Sequence, residues 1–466
     1  METQWLPASL LVWITALAET LDARQQARFV ALCDGLLFAR GRRTVASWLR
    51  ACAAGRDYKR YYYLLGSVGR KAVDLAGRVL RIIQEKLPPA GDGAPLIFAL
   101  DDSPTQRYGP HVEGAGKHHN PTPGPAGAKF LYGHVWVCLA RLVRHPRWGA
   151  IALPILSQLY IRAKDVSWMA AYYGWEFRTK LELAATLVEW LVQRLGEGHL
   201  PIWVVTDGAY AKRPFLRRAL AAGVTVISRL RCDAALWSLP SVVAPEQRGR
   251  GRPRIYGKER IDLAKRAGQT RGWQAGLFTL YNQPVVKTYK TFLATYKPVG
   301  GVIRVVLVRE PDRWVAYFST DPQLSVAAIL GAVADRSALE QVFHDVKEVH
   351  GAGQQQLRHV WANVGAWNLI GWWHPLVELW AWDRSHARLC DRSDSPWDKK
   401  ERRPSHANRC QQLRREALGE EYSRLPSVAR VRPKIRRFIQ RLIRAIATEA
   451  DQWEDQRSRG HCQIVE

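Results

Sequence analysis

The sequence predicts an α/β fold: a mixed sheet flanked by helices, with a β-rich insertion and helical N- and C-terminal regions. Two apolar runs, 96–100 and 202–206, each lead into an aspartate. Continuous apolar runs of this length are typical of strands buried on both faces. Apolar residues recur at helical spacing near both ends of the chain, and β-branched runs cluster between about 230 and 320. These three observations define the predicted architecture.

The charge of the chain indicates a polyanionic partner. Lys and Arg total 69 against 42 acidic residues among 466, which gives a formal charge of +27. Such an excess is unusual for an enzyme of small metabolites and favours nucleic acid. The alternative is the basic bias of a proteome rich in Arg, Ala and Gly, but here the charge is also clustered. A hydrophobic fraction of 47% fits a globular protein.

The seven cysteines indicate a reducing compartment. Their number is odd and no Cys-x-x-Cys pair occurs, which argues against a disulfide framework and against a zinc ribbon. The apolar stretch Leu10–Ala18 is too short to span a bilayer and predicts a core helix. We therefore expect a cytoplasmic protein with no membrane partner.

Residues 1–90 are predicted to form a helical DNA-binding domain. Thr44 can cap a helix from Val45 to Ala53, and a further helix is expected at about 71–86. Short helices with basic turns suit a bundle of helix-turn-helix type. An ordinary helical domain with basic loops explains the same pattern. The segment 87–93, rich in Pro and Gly, predicts a linker.

Residues 91–229 are predicted to form the first part of a catalytic core. Strands are expected at 96–101, 130–140, 149–158, 202–206 and 223–228, and helices at 178–195 and 211–221. The three early strands lie close enough in sequence to be antiparallel neighbours, whereas helices separate the later ones. This mixed sheet is the pattern of an RNase H-like core.

A β-rich insertion is predicted at 230–322, with strands at 288–296, 302–308 and 314–319. Its segment Gly249–Arg254 contains Arg250, Arg252 and Arg254. Such a basic segment suits backbone phosphates or the minor groove, although a solvated loop is the plain alternative.

Residues 323–382 are predicted to complete the core as helices, at 325–333 and again from Ser337. Trp361, Trp367, Trp372 and Trp373 on the next helix indicate core packing. The basic C-terminal region, 383–466, is expected to be loop-like and partly disordered up to about Arg415. An amphipathic helix is predicted at 427–447.

Three carboxylates are candidates for a metal site. Asp101 and Asp207 follow the two buried runs, and catalytic groups gather beyond the carboxyl ends of such strands. On a predicted helix, Arg336, Glu340 and Lys347 share one face. Glu340 can add a third carboxylate between two cations. The alternative is a helical salt bridge of Glu340 with Arg336 or with His344.

These residues resemble the motifs of the DDE transposases of bacterial insertion sequences, and in particular the cut-and-paste group with a β-rich insertion between the second Asp and the Glu. The matching motifs are Asp101-Asp102-Ser103, Val205 to Tyr210 around Asp207, and Arg336, Glu340 and Lys347 at the family's Arg-Glu-Lys spacing. The resemblance covers roughly residues 95–355. The family usually has Tyr three residues before the Arg, where this chain has Val333.

The resemblance implies a catalytic site in which Asp101, Asp207 and Glu340 hold two Mg²⁺ or Mn²⁺ ions. It favours Asp101 over the adjacent Asp102, which would be a turn residue or a supporting group. Arg336 and Lys347 would grip DNA near the scissile phosphate.

The implied activity is cleavage at transposon terminal inverted repeats and joining of the ends to target DNA. The resemblance also implies a homodimer on double-stranded DNA in the bacterial cytoplasm, associated with the nucleoid.

Relatives with this insertion often cut through a DNA hairpin, for which Trp273 or Trp314 could stack on a flipped base; either could equally be core. His118-His119 lacks a third spaced ligand and is expected to face DNA or solvent. The alternatives are an inactive or domesticated transposase that only binds DNA, and another RNase H-like nuclease.

Overall fold

A computed structural model describes most of the chain between residues 5 and 424. The residues not described within that range are 90, 92, 121–127, 197, 199–200, 242–253, 391–396, 398 and 400. Beyond it, residues 435, 439, 442, 443 and 446 are described. Most of the predicted amphipathic helix at 427–447 therefore lies outside the described residues.

Five helices precede the sheet. They are α1 (Ala8–Ala18), α2 (Ala23–Phe38), α3 (Val45–Ala51), α4 (Tyr58–Arg70) and α5 (Ala72–Lys86). Thr44 caps α3 as predicted, because its side chain accepts a hydrogen bond from the Ser47 N–H. The linker then runs from the end of α5 to the first strand at Leu96.

The core contains the predicted strands and helices in the predicted order, with two additions. Its strands are β1 (Leu96–Gln106), β2 (Gly116–His119), β3 (Phe130–His145), β4 (Gly149–Tyr160), β5 (Ile202–Thr206) and β6 (Thr225–Leu230). Its helices are α6 (Ala163–Tyr173), α7 (Lys180–Leu195) and α8 (Arg213–Ala221). The sequence reasoning missed β2 and α6.

Strand β1 is longer than the sequence suggested. The apolar run was expected to end on Asp101 and turn, but β1 continues to Gln106. The physical reason is the antiparallel partner β3, which pairs with β1 from Ile97 to Gln106 and satisfies its backbone groups beyond the apolar run.

The insertion is β-rich, as predicted. It contains β7 (Leu236–Trp237), β8 (Arg260–Ile261), α9 (Leu263–Gly268), β9 (Gln274–Leu280), β10 (Gln283–Tyr296), β11 (Gly301–Arg309) and β12 (Trp314–Ser319). Rather than forming a separate sheet, β12 pairs antiparallel with β6 and continues the core sheet outward.

Among the described residues the strands form one 12-stranded sheet in the order β2-β3-β1-β5-β6-β12-β11-β10-β7-β8, with β4 on β3 and β9 on β10. Strand β1 is antiparallel to β3 and parallel to β5, and β5 is parallel to β6. Three antiparallel strands followed by parallel ones, with helices on both faces, form an RNase H-like core.

In the described part of the chain up to residue 424, four further helices follow the sheet: α10 (Val326–Glu348), α11 (Val360–Ala381), α12 (His386–Leu389) and α13 (His406–Arg424). The predicted break between Val333 and Ser337 is wrong, since α10 is continuous. Asp335 in this stretch is buried and accepts a hydrogen bond from Arg144 Nε at 2.7 Å, so tertiary packing holds the polar residues in the helix.

The described residues of the segment 382–415 are also more ordered than predicted. It contains α12 and the first half of α13, where Arg409, Cys410 and Leu413 are buried. One of the polar residues that suggested a loop, Arg409, is instead buried in an ion pair. Its Nη1 lies 2.9 Å from an oxygen of Glu378 in α11.

Helix α11 organises the core on one side of the sheet. Its tryptophans Trp367, Trp372 and Trp373 are buried, as predicted. Gly69 in α4 lies so close to it that a Cβ there would overlap the Trp361 carbonyl oxygen. The N-terminal helices are therefore packed on the core. Among the described residues, no helix has both the length and the apolar character needed to cross a bilayer.

Candidate active site

The two aspartates that follow the buried runs lie at the same level of the sheet. Parallel pairing of β1 with β5 ends at Leu100 opposite Thr206, so the next residues are Asp101, within β1, and Asp207, directly after β5. Asp207 starts a 3₁₀ turn, and its carboxylate accepts a hydrogen bond from the Ala209 N–H at 3.5 Å. Adjacent strand positions bring the two carboxylates to one edge of the parallel pair.

Helix α10 crosses the sheet at this point and adds a third carboxylate. Arg336 Nη1 lies 2.6 Å from Asp101 Oδ2, and Arg336 Nη2 lies 2.7 Å from Glu340 Oε1. The predicted salt bridge between Arg336 and Glu340 is thus present, and Asp101 shares the same guanidinium. Glu340 is 59% exposed, whereas Asp101 is only 20% exposed. Arg336 therefore lies between a half-buried carboxylate, Asp101 on β1, and an exposed carboxylate, Glu340 on α10.

Burial dominates the electrostatics of Asp101. Loss of water around its carboxyl raises the pKa to about 6, against the opposing effect of Arg336. The neighbouring charges of Asp102 and Asp207 raise this pKa further. A concentration of negative charge in a partly dry place favours a bound cation.

The adjacent Asp102 points to the other face of the sheet. Its carboxylate accepts a hydrogen bond from Lys180 Nζ at 2.6 Å and another from the buried Tyr210 Oη at 2.8 Å. Its backbone N–H donates to Asp101 Oδ1 at 2.8 Å. Alternation along the strand thus separates an aspartate directed at α10 from one that is bound into the opposite layer.

Lys347 lies farther along α10, half-buried above the same strands. Burial lowers the pKa of its ammonium group, and the Cys138 thiol is close enough to oppose that shift. Cys138 is the direct cross-strand partner of Asp101. Arg336 and Lys347 therefore lie near Asp101 and its cross-strand partner, and Glu340 is linked to Asp101 through Arg336.

The other predicted contact residues lie elsewhere. Arg254 is exposed in the insertion, while Arg250 and Arg252 fall outside the described residues. Trp273 and Trp314 are half-buried and pack against the core. The cations of Lys290 and Arg309 cover the ring of Trp273 at 4.8 and 4.5 Å from its centroid.

The predicted histidine pair also has a defined place. His118 is buried in β2, where loss of water lowers the pKa of its imidazole to about 4, whereas His119 is exposed. Neither belongs to a compact group of metal ligands among the described residues.

Two compact groups of possible metal ligands exist in the described part of the chain, and neither contains the three carboxylates above. They are His350 with His406 and Cys410, and Asp345 with His374 and His406. The sequence reasoning missed both groups because it searched for Cys-x-x-Cys spacing. The signal available was His406 and Cys410, four residues apart and so on one face of a helix.

An RNase H-like sheet with two strand-borne carboxylates beneath a helix-borne glutamate defines the class of nucleases that cut phosphodiester bonds. A family model described as DDE superfamily endonuclease matches residues 16–275, more than half of the chain. The chain belongs to this family, whose members act on DNA with divalent metal ions. The match includes Asp101 and Asp207 and ends before Glu340. A search of curated proteins gives no match to this chain.

Proposed function

We propose that the chain is a transposase that binds terminal inverted repeats, cleaves DNA at them and joins the freed ends to target DNA. The observation that carries this proposal is the position of α10 over the sheet, with Arg336 between Asp101 and Glu340 and Asp207 on the next strand. An inactive or domesticated protein would have no reason to keep three carboxylates in this arrangement.

Asp101, Asp207 and Glu340 are the proposed ligands of two Mg²⁺ or Mn²⁺ ions. Carboxylate oxygens are the donors that these hard ions prefer. The place between Asp101 and Glu340 holds the positive charge of Arg336, which supports a cation site there. When bound, the ions would activate the attacking oxygen and stabilise the leaving oxygen.

Arg336 therefore has two alternative partners. In the protein alone it forms ion pairs with both Asp101 and Glu340. With those oxygens bound to metal, the Arg336 guanidinium would be available for a DNA phosphate. Lys347, half-buried over the same strands, is the second proposed phosphate contact.

Asp102 is the proposed positioning residue for Asp101. Its two hydrogen bonds to Lys180 and Tyr210 hold β1 from the opposite face. A fixed strand keeps the Asp101 carboxylate directed at α10, which matters because metal ligands require their positions to be set in advance.

The proposal extends to how the chain meets DNA. The helical segment 1–90 and the arginines Arg250, Arg252 and Arg254 of the insertion would contact DNA outside the catalytic core 91–229 and 323–382. A homodimer would bring two transposon ends together in the cytoplasm, at the nucleoid, and the basic C-terminal region 383–466 would add charge for DNA. A formal charge of +27 supports all of these contacts.

The test is metal-dependent cleavage by the full chain. Duplexes made from the genomic flanks of the gene are compared with scrambled duplexes and RNA–DNA hybrids, in Mg²⁺, Mn²⁺ or EDTA. Asp101→Ala, Asp207→Ala and Glu340→Ala should each abolish nicking and end joining. Glu348→Ala, an exposed carboxylate at the end of the same helix, is the matched control and should remain active.

The outcomes separate the candidate functions. Nicking and joining at the flanks, lost in the three variants, supports the transposase. Preferred cutting of hybrids would point to another RNase H-like nuclease. Specific binding of the flanks without any metal-dependent nicking would leave a DNA-binding protein and refute the catalytic assignment.

A further inference from the structure

A second group of chemically active side chains lies buried at the junction of α10, α11 and α13. His350 follows the end of α10, His374 belongs to α11, and His406 and Cys410 belong to the first turns of α13. All four are at least 95% buried. Histidines are rarely gathered in this way in an apolar core unless they share protons or bind a metal ion.

Three of these four side chains, His350, His406 and Cys410, direct their ligand atoms towards one another. His350 Nε2 and His406 Nε2 face each other at 2.8 Å, and Cys410 Sγ lies 4.0 Å from His350 Nε2. These ligand atoms of His350, His406 and Cys410 all fall within 4.8 Å of one another. Two imidazole nitrogens and one sulfur are the donor set of a structural zinc site. The nitrogens lie at hydrogen-bond distance, and tetrahedral zinc would require them to separate to about 3.3 Å.

His406 is oriented as a metal-binding histidine usually is. Its Nδ1 lies 2.7 Å from Glu378 Oε1, and Arg409 Nη1 donates to that same oxygen at 2.9 Å. A carboxylate that accepts the Nδ1–H fixes the ring and leaves the Nε2 lone pair directed at His350. The carboxylate–histidine pair is thus already in place.

Two polar atoms beside these ligands have no hydrogen-bond partner among the described residues. His374 stacks on His406 with ring centroids 4.1 Å apart, and its Nε2 lies 3.6 Å from Asp345 Oδ2, too far for a good hydrogen bond. His374 Nδ1 and Glu378 Oε2 are buried without any hydrogen-bond partner. Buried polar atoms without partners are uncommon, and these two belong to the residues that surround His406.

We propose that this cluster is a structural zinc site with His350 Nε2, His406 Nε2 and Cys410 Sγ as ligands. Asp345 belongs to the second compact group, which shares His406, and is the candidate for the fourth ligand. The carboxylate of Glu378 faces the cation of Arg409, and the cations of Arg43 and Arg414 lie near His350.

The site would join the C-terminal helix to the catalytic one. Asp345 and Glu340 are five residues apart on α10, and the other ligands come from the end of that helix and from α13. A bound zinc ion would therefore brace the half of α10 that carries Glu340 and Lys347. This role is distinct from the metal chemistry proposed at the carboxylates, where oxygen donors select harder ions.

The test is the metal content of the untagged full chain, purified without chelators. Elemental analysis should find about one zinc ion per chain, held through dialysis. Cys410→Ser and His406→Gln should each lose most of that zinc. Cys33→Ser, which alters a buried cysteine near the start of the chain in α2, should retain the zinc. Asp101→Ala should retain it as well.

Cobalt provides an answer that does not depend on any variant. Replacing zinc by Co²⁺ in the wild-type chain should produce the intense visible bands of a tetrahedral ion and a sulfur-to-cobalt charge-transfer band. Folded wild-type protein that contains no zinc and takes up neither Zn²⁺ nor Co²⁺ would overturn the proposal. The pair His350 and His406 would then be a histidine pair that shares a proton.

Discussion

Exchanging each of the adjacent aspartates for asparagine separates a metal ligand from its positioning residue. Asp101→Asn removes the charge that faces Arg336 and the proposed ions, while Asp102→Asn removes the charge that faces Lys180 and Tyr210. The two variants differ by one position and by no change in size. Asp101→Asn is expected to lose mainly cleavage activity, and Asp102→Asn mainly stability.

The magnitudes follow from the contacts. A hydrogen bond to a charged group contributes about 1.5–3 kcal/mol. Asparagine still accepts from the buried Tyr210, and the pair with the 38% exposed Lys180 is worth about 1 kcal/mol or less. Asp102→Asn should therefore cost about 1–2 kcal/mol of folding free energy. Its activity should fall by no more than about 100-fold, as for other residues that orient a ligand.

Asp101→Asn should have the reverse profile. The pKa of about 6 already includes the effect of Arg336, so removing this charge should stabilise the fold by up to about 3 kcal/mol at pH 8. Cleavage should fall by at least about 1000-fold, which corresponds to about 4 kcal/mol of transition-state stabilisation.

The assays are thermal unfolding in EDTA and nicking of a labelled duplex in Mn²⁺. Asp312→Asn, in an exposed loop, is the control and should match wild type in both. If Asp102→Asn abolished nicking while Asp101→Asn remained active, the assignment of the two aspartates would be reversed.

Three further predictions follow from single contacts. Arg336→Gln should bind Mn²⁺ more tightly in calorimetry yet nick DNA more slowly, because the guanidinium competes with the ion and then grips phosphate; weaker ion binding would contradict this. Gly69→Ala should cost about 3 kcal/mol or more in unfolding experiments, since its Cβ would overlap backbone of α11, whereas Gly66→Ala in the same helix, where the nearest atoms lie 3.7 Å away, should be tolerated. Asp34→Asn should stabilise the protein by about 4 kcal/mol at pH 8 and by progressively less towards pH 4. The reason is that burial raises the pKa of this carboxyl from 3.8 to about 7. An equal gain at both pH values in thermal unfolding would refute the assignment.

The sign of the Asp34 effect follows from linkage. The folded state holds the proton more tightly than the unfolded state, so folding is favoured at low pH. That stability is lost as pH rises from about 4 through about 7. Asn cannot ionise and avoids the loss.

Local sequence determined most of the core. The buried strands and α7 and α8 lie where periodicity placed them, because apolar runs and capping residues act over a few positions. Helical geometry also placed Arg336, Glu340 and Lys347 on one face, and the pairing of Arg336 with Glu340 needs no tertiary information.

Tertiary structure decided what depends on distant partners. Strand β1 runs past Asp101 because β3 continues to pair with it, and α10 is unbroken because Arg144 satisfies the buried Asp335. Which aspartate faces α10 was open from the strand alone; the structure decides it by binding Asp102 to Lys180 and Tyr210.

The buried histidines show the same division most clearly. His350 and His406 are 56 residues apart, and His406 lies in the stretch 382–415 whose polar composition suggested a loop. Only the tertiary packing of α13 brings their nitrogens together. Composition reports how polar a segment is on average. It does not report which of its charges will be paired, and pairing is what allowed Arg409, Glu378 and His406 to be buried.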